Sequence, residues 1–253
     1  MSPRQPLIAG NWKMHGSAAF VGDFCGELRA AALPEAVTVV LLPPVAYLAQ
    51  TVAALAGLGI DCGAQNAHVE SAGAFTGEVA PEMVADLGGN WVLVGQSERR
   101  RYFAETDELL AAKFAAALRA GLTPIFCVGE TLEERGEGRA EAVVCAQIAA
   151  VASRVGVPAF GQGVMAYEPV WAIGTGETAT PEQAQAMHSL IRSEIAALDA
   201  SAASAMRVLY GGSMNPGNAE QLLSQPDIDG GLVGGASLKA SEFLQIVGLA
   251  SAA

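Results

Sequence analysis

Eight short runs of apolar or β-branched residues recur along the chain, and they limit the possible folds more than any other feature. Helical patterns lie between them: Phe20, Phe24 and Leu28 recur at four-residue spacing, and a similar series begins at Leu110. Strands that alternate with helices form parallel β–α units, and eight units can close into a barrel without a sheet edge. We therefore expect an α/β fold, a single (β/α)8 barrel, with strands at 7–9, 37–42, 60–64, 91–94, 123–128, 164–167, 206–209 and 230–233.

An open, doubly wound sheet is the alternative architecture for such a pattern. It is disfavoured because no glycine-rich dinucleotide fingerprint follows the first run. The 253 residues are 51% hydrophobic, which is enough for a large core, and neither a composition shift nor a long polar linker divides them. We expect one domain over residues 1–253.

Charge and cysteine content exclude several classes of protein. The formal net charge of −12 argues against a nucleic-acid partner, which would require a basic surface, so an anionic ligand would need local donors such as Lys13. The four cysteines include no Cys-x-x-Cys pair, so neither a zinc site nor a disulfide scaffold is indicated. They lie at Cys25, Cys62, Cys127 and Cys145.

Targeting and membrane segments are not evident in the sequence. The opening residues lack an apolar core of signal-peptide length, and the apolar stretch 37–60 is interrupted by Pro43, Pro44, Gln50 and Thr51. We expect a soluble cytoplasmic protein with no membrane partner.

The segment 166–176 carries a carboxylate followed by a lid-like loop. Glu168 stands at the end of the sixth run, and the proline after it favours an extended backbone there. Residues 170–173 are too apolar for an idle surface loop, and Gly174 and Gly176 supply conformational freedom. Such a loop can close over a ligand and exclude water. The alternative is a buried turn in which Trp171 fills the core and Glu168 is a solvated charge.

Polar residues and glycines follow several of the predicted strands, where a barrel of this kind binds ligands. The two glycine-rich turns after the last two strands, 210–213 and 232–238, suit an anion because glycine lets backbone amides approach it closely. Each turn alone is weak evidence, since paired glycines often mark plain turns. The strand-end residues are Asn11, Lys13, Gln96, Glu168, Ser213, Gly234 and Gly235.

Two helix starts have their own signatures. Thr180 precedes a proline and stands three residues before Gln183, which is the pattern of a capping box. Asn215 followed by Pro216 repeats the cap-and-proline pattern. We expect helices to begin at residues 181 and 216.

Five motifs, in order from residue 10 to residue 239, resemble the triosephosphate isomerase family. The resemblance spans nearly the whole chain and implies a TIM barrel that interconverts dihydroxyacetone phosphate and D-glyceraldehyde 3-phosphate without a metal or organic cofactor. The motifs are Asn11-Trp12-Lys13, Gly95-Gln96-Ser97-Glu98-Arg99-Arg100, the 166–176 segment, Tyr210-Gly211-Gly212-Ser213 and the GGASLK stretch at 234–239.

The same resemblance implies roles for individual residues. Glu168 would be the base that moves a proton between adjacent carbons through an enediolate. Lys13 would stabilise charge and hold the substrate, and Asn11 would donate to a substrate oxygen. Glu98 would orient Lys13, with a purely structural ion pair as the alternative. The phosphate would rest on amides near Gly174, Ser213, Gly234 and Gly235.

Gln96 departs from the family, which carries at this position a histidine that polarises the carbonyl and transfers protons between the substrate oxygens. A glutamine amide offers N–H donors but cannot exchange a proton at ordinary pH. We therefore expect a slowed enzyme in which Glu168 also carries protons between oxygens. A smaller departure is Glu177 at the far end of the lid, where the family often has lysine.

None of His15, His68 and His188 is expected to face the site, and each is interpreted as a surface residue.

The loop at 65–78 is longer than most connections and resembles the intersubunit loop of the family. The resemblance implies a homodimer, in which the loop reaches a neighbouring subunit near Asn11 and Lys13; a flexible surface loop on a monomer is the alternative.

A sugar-phosphate-binding barrel without useful turnover remains the competing function. Another barrel enzyme, such as an epimerase, would lack its expected metal ligands here.

Overall fold

A computed structural model describes residues 4–174 and 178–252 of the chain. Eight parallel strands are hydrogen-bonded in sequence order, and β1 also pairs with β8, so that the sheet closes into a barrel. The (β/α)8 expectation is therefore confirmed. The strands are β1 Leu7–Asn11, β2 Thr38–Leu42, β3 Asp61–Ala64, β4 Trp91–Val94, β5 Thr123–Val128, β6 Val164–Tyr167, β7 Val208–Tyr210 and β8 Gly230–Val233.

Helices follow the strands and cover the outside of the barrel. In the described ranges they are α1 Ala18–Ala30, α2 Leu48–Leu55, α3 Pro81–Asp86, α4 Ser97–Phe103, α5 Asp107–Arg119, α6 Leu132–Gly136, α7 Ala140–Val155, α8 Val157–Phe160, α9 Pro181–Leu198, α10 Ala200–Ala205, α11 Ala219–Leu223 and α12 Ala240–Ala250. Short 3₁₀ turns occupy Val45–Tyr47, Val170–Ala172 and Gly235–Leu238. Within the described ranges, no helix is both long and apolar enough to cross a bilayer.

Alternate residues of seven of the eight strands enter two separate buried clusters, while β3 contributes to only one of them. One cluster contains strand residues only, among them Leu7, Ala9 and Leu232, and fills the interior of the barrel. The other joins outward-facing residues such as Ile8 to helix residues such as Phe243. Because side chains alternate along a strand, this pattern decides which residues just beyond each strand continue toward the mouth of the barrel.

The two predicted helix starts have different outcomes. Thr180 accepts from the N–H of Gln183, and the Gln183 side chain accepts from the N–H of Thr180, so that capping box is confirmed. The start expected at Pro216 is wrong, because α11 begins at Ala219. The Asn215 side chain accepts instead from the N–H of Gly217 at 2.8 Å, which closes a turn and delays the helix.

Buried charges close the amino end of the barrel. Asp229, immediately before β8, accepts from Arg4 Nε at 2.6 Å, from Arg192 Nη2 at 2.7 Å and from the backbone N–H of Val208 at 2.8 Å. The carboxylate of Asp229 is thereby paired and hydrogen-bonded, as a buried charge must be. This network joins the chain before β1 to α9, β7 and β8.

Candidate active site

A cavity of about 430 Å³ opens at the carboxyl ends of the strands. The residues expected there from the sequence lie after five different strands, and the barrel brings them together around this one space. Eight of the nine predicted site residues line it: Asn11, Lys13, Gln96, Glu168, Gly174, Ser213, Gly234 and Gly235. The ninth, Glu98, reaches the cavity through its contact with Lys13.

Glu168 is aimed at the cavity by the alternation along β6. It continues the interior series of Val164 and Ala166, and it is only 3% exposed. Its Oε2 accepts from the backbone N–H of Ser97 at 2.9 Å. A Cβ on Gly211 would lie 2.8 Å from Glu168 Cγ, so the glycine leaves room for the carboxylate arm.

Burial raises the pKa of Glu168 to about 7, and the negative charge of Glu98 adds to the rise. The N–H of Ser97 and the cations Lys13 and Arg100 oppose it. A carboxyl group with this pKa is a suitable general base near neutral pH. The alternative interpretation of Glu168 as a solvated surface charge is wrong.

Lys13 adopts a left-handed backbone conformation with φ of 50° immediately after β1. Asn11 Oδ1 accepts from the N–H of Lys13 at 2.9 Å, and Gln65 Nε2 donates to the Lys13 carbonyl at 2.8 Å. The ammonium group pairs with Glu98, and the side-chain stem passes 3.5 Å from the position of a Cβ on Gly234. The cation is therefore held between the carboxylate side of the cavity and its glycine-rich side.

Gln96 lies just before α4 and is 5% exposed. Its Nε2 donates to the Cys127 thiol sulfur at 3.6 Å. No described residue donates to its carbonyl oxygen, Oε1, although that atom is buried. The side chain thus contributes to the cavity an amide with one unused acceptor.

The first part of the predicted lid is held by a buried carboxylate. Glu130 Oε1 accepts from the Tyr167 hydroxyl at 3.1 Å, from Trp171 Nε1 at 2.9 Å and from Arg135 Nη1 at 3.1 Å. Trp171 is partly buried and packs against the outer core, as the alternative interpretation supposed in part. Of the predicted lid and its far hinge, Thr175, Gly176 and Glu177 lie outside the described residues.

The two glycine-rich turns face the lid and Lys13. Ser213 Oγ donates to the Ala172 carbonyl at 2.9 Å, which connects the turn after β7 to the lid segment. After β8, the buried Ser237 donates through Oγ to the Gly234 carbonyl at 2.7 Å and fixes that turn. Amides near Ser213, Gly234 and Gly235 therefore border the same cavity as Glu168.

Two of the three histidines differ from the sequence expectation. His15 lines the cavity, although it was expected to face away. His188 is completely buried and not a surface residue; its Nδ1 lies 3.1 Å from the Asp227 carbonyl, and burial lowers its pKa to about 4. Its position in α9 matches the buried series of Ala184 and Ile191, a helical periodicity that the sequence does contain. His68 contacts Phe75 in the loop with tilted rings, whose centroids lie 4.4 Å apart.

Sequence reasoning missed two residues that organise the site, Gln65 and Glu130. Gln65 is the first residue after β3, and Glu130 is the second residue after β5. Applying the strand-end rule to all eight strands would have found them.

The four cysteines are free thiols as expected. Within the described ranges, no group of three or more His, Cys, Asp or Glu side chains is arranged to hold a metal ion.

Fold and site together define a (β/α)8 barrel with a buried carboxylate opposite two glycine-rich turns in one cavity. The family model described as triosephosphate isomerase matches residues 6–250, and the chain belongs to this family. It is 51% identical over 249 residues to the triosephosphate isomerase of Stenotrophomonas maltophilia (strain K279a), covering 98% of this chain and 99% of that protein. The triosephosphate isomerase of Xanthomonas oryzae pv. oryzae (strain PXO99A) is 51% identical with the same coverage.

Proposed function

We propose that this chain interconverts dihydroxyacetone phosphate and D-glyceraldehyde 3-phosphate, with Glu168 as the base. The observation that carries the proposal is the position of Glu168: a buried carboxylate with pKa about 7 lines the same cavity as Lys13 and the glycine-rich turns. A protein that only bound a sugar phosphate would gain nothing from a desolvated base at this place, since a buried carboxylate is costly to keep. Family membership supports the same reaction.

In this mechanism the Glu168 carboxylate removes a proton from C1 of dihydroxyacetone phosphate. The electrons of the C–H bond form a C1–C2 double bond, and the carbonyl electrons move to O2, which gives an enediolate. Return of the proton to C2, with transfer of the O1 proton to O2, completes the aldehyde. No oxidant or reductant is needed, because the carbons only exchange oxidation states.

Lys13 and Asn11 stabilise the charge that develops on oxygen. The ammonium of Lys13 lies between Glu98 and Gly234, within reach of a ligand in the cavity. Asn11 Oδ1 is occupied by the N–H of Lys13, so the amide nitrogen is the group left to donate to a substrate oxygen. Positioned donors of this kind stabilise an oxyanion without reorganising during the reaction.

The phosphate of the triose binds to backbone amides near Gly174, Ser213, Gly234 and Gly235. Three of these residues follow β7 and β8, where barrels of this architecture commonly hold phosphate. Closure of the lid over the phosphate excludes water and protects the enediolate. The negative charge of the whole chain is no obstacle, because exposed charges are screened beyond roughly 8 Å at physiological salt.

Gln96 polarises the carbonyl through an N–H but does not transfer protons between oxygens; Glu168 performs that transfer. Partial loss of an electrophile of this kind costs about 10²-fold in rate. A coupled assay of triose phosphate turnover tests the function, with Gln96→His beside the unchanged chain. We expect measurable turnover that rises in Gln96→His. Complete absence of turnover in both chains would instead favour the sugar-phosphate-binding barrel.

Solvent isotope exchange tests the proton route separately. If Glu168 serves both carbons and oxygens, the exchange pattern of the unchanged chain should differ from that of Gln96→His. Identical patterns in the two chains would contradict this route.

The protein acts as a homodimer with one barrel domain in each chain, located in the cytoplasm. The closed barrel formed by the described residues supports a single domain over residues 1–253. Exposed apolar side chains in the segments that follow β1 and β4 support association of two chains, notably Met14 (94% exposed) and Phe103 (64% exposed). The loop at 65–78 supplies part of the contact, with Phe75 near its tip.

A further inference from the structure

The amide of Gln96 lies between a buried thiol and the cavity. Its nitrogen carries two hydrogens, and one of them is directed to Cys127 Sγ at 3.6 Å. Its oxygen is buried without a donor among the described residues. Since buried acceptors are nearly always paired, an unpaired amide oxygen at a ligand cavity points to a donor that the ligand brings.

The orientation of the amide follows from Cys127. A thiol has one hydrogen, and Cys127 directs it to the Ile125 carbonyl at 3.9 Å, so the sulfur can only accept from Gln96. Burial raises the pKa of Cys127 well above the ordinary thiol value, which keeps that hydrogen in place. Rotating the amide by 180° would set its oxygen against the sulfur lone pairs. Cys127 therefore fixes which amide atom faces it.

We infer that Gln96 binds both reacting oxygens of the triose: its second N–H donates to the carbonyl oxygen while Oε1 accepts from the hydroxyl on the neighbouring carbon. This inference rests on the proposed function. The N–H and C=O of an amide lie side by side, as in amide recognition of adjacent donor and acceptor groups. One nitrogen of a neutral imidazole can donate or accept, but not both. Gln96 is thus a specificity-determining residue for an α-hydroxy carbonyl or a vicinal diol.

A ligand with two acceptors at this place should be rejected. In a carboxylate, one oxygen would accept from the N–H of Gln96 and the other would face Oε1, acceptor against acceptor. Polar sites of this kind discriminate strongly, because a mismatched ligand leaves a buried group unpaired. We therefore expect preference for glycerol 3-phosphate, with its vicinal hydroxyls, over 2-phosphoglycolate, relative to a chain without this acceptor.

Calorimetric binding of these two probes tests the inference. We expect the ratio of the Kd of 2-phosphoglycolate to that of glycerol 3-phosphate to fall about tenfold in Gln96→His, because a bidentate amide contact discriminates by about that factor or more. It should also fall in Gln96→Met, which keeps the length of the side chain but has neither donor nor amide oxygen. A ratio that stays within about twofold in both variants, against the tenfold change expected from that contact, overturns the inference.

The role of Cys127 is tested by Cys127→Ala, which frees the amide to rotate. The ratio should then fall toward the Gln96→Met value. Cys62→Ala is the matched control, since it removes the same atoms from a buried thiol on the outer face of β3 and should leave the ratio unchanged. Equal behaviour of the two alanine variants would contradict an orienting role for Cys127.

Side-chain amide NMR provides a readout that does not depend on the Cys127 variant folding. Adding glycerol 3-phosphate to the unchanged chain should shift one of the two Gln96 amide protons, the one not bound to sulfur, much more than the other. Equal shifts, or none, would overturn the inference. Because both experiments measure binding alone, they remain decisive even if the turnover assay shows that the proposed isomerisation fails.

Discussion

The packing that aims Glu168 into the cavity also removes it from water. Its pKa is raised to about 7, first by burial and then by the charge of Glu98. The folded chain therefore binds the Glu168 proton more tightly than the unfolded chain, whose glutamate has a pKa near 4.5. The favourable contribution of this group is fully present below about pH 4.5 and is lost as the pH rises through about 7.

Glu168→Gln should consequently stabilise the fold at alkaline pH. We expect a gain of about 3 kcal/mol in the free energy of unfolding at pH 8 and little change at pH 4.5, together with loss of turnover. Urea unfolding at both pH values and one protein concentration measures it. Glu220→Gln, at an exposed position, is the control and should change the free energy by less than about 0.5 kcal/mol at either pH. An equal gain at both pH values would show that the charge of Glu168 does not destabilise the fold.

The substitution Gly211→Ala tests how strongly the rate depends on the position of the Glu168 carboxylate. A Cβ there would lie 2.8 Å from Glu168 Cγ and 3.0 Å from the Tyr167 carbonyl oxygen, so Gly211→Ala must push the carboxylate arm aside. A displacement of about 1 Å can cost about 100-fold in rate, and we expect kcat to fall by that order. Steady-state kinetics measure it. In the matched control, Gly26→Ala in α1, the new methyl meets no heavy atom within 4 Å and should leave kcat unchanged.

At the scale of elements, the features that the sequence located best are the strands and the polar residues at their ends. β4, β5, β6 and β8 have the predicted bounds, and Asn11 and Glu168 continue the interior series of their strands toward the cavity. Short apolar runs are local in the sequence and can be recognised without knowing the neighbouring strands. This is why the strands and the strand-end residues could be predicted together.

The errors concern side-chain contacts, only some of which involve partners distant in the chain. His188 was assigned to the surface because its immediate neighbours are small, but α9 turns it toward Tyr167, with ring centroids 5.8 Å apart. The side chain of Asn215 caps a turn and not a helix, because the Asn218 side chain accepts from the backbone N–H of Asn215. The sequence likewise gives no indication that Gln96 would meet Cys127, 31 residues away on β5. Such pairings are set by barrel closure.

Deleting part of the lid should distinguish isomerisation from loss of phosphate by the enediolate. Deleting residues 171–174 removes the Trp171 contact to Glu130 and the Ala172 contact to Ser213, while β6 and Glu168 remain. Because an uncovered enediolate can expel phosphate into water, we expect release of inorganic phosphate to rise relative to isomerisation. Phosphate and aldehyde are measured in the same reaction.

The control for the lid deletion is the same deletion combined with Glu168→Gln. This chain should release no phosphate above the background of free substrate, because the enediolate must first be formed on the protein. An unchanged ratio of phosphate to aldehyde in the single deletion would refute the protective role of the lid.

At the scale of the whole molecule, the two ends of the barrel have different tasks. The amino end is closed by the paired charges around Asp229, and the carboxyl end carries the cavity with its unpaired acceptor and its partly exposed Lys13–Glu98 pair. The loop at 65–78 projects from this second end. Its base is closed by the N–H of His68, which donates to the Val79 carbonyl at 2.8 Å, and Phe75 rests on the His68 ring.

We propose that this loop connects dimer assembly to the site. Gln65, its first residue, donates to the carbonyls of both Lys13 and Leu42, so the base of the loop is hydrogen-bonded to the backbone of a cavity residue. Phe75 is 45% exposed in the isolated chain, and Tyr102 is 66% exposed. Fully burying an exposed apolar side chain contributes roughly 1.5–3 kcal/mol, and Phe75 would gain only a part of this because roughly half of it is already covered.

Phe75→Asp should therefore yield a monomer. The substitution removes apolar contact and places a charge in the interface, so we expect the dissociation constant to rise by more than about 100-fold. Activity should fall with it, because the loop no longer reaches the neighbouring subunit near Asn11 and Lys13. Sedimentation at micromolar concentration measures the association. Leu198→Asp, at a position that is also exposed (55%) but at the end of α9, should remain dimeric. If the unchanged chain sediments as a monomer, or if Phe75→Asp remains a dimer, the loop is a surface feature and the site is complete within one chain.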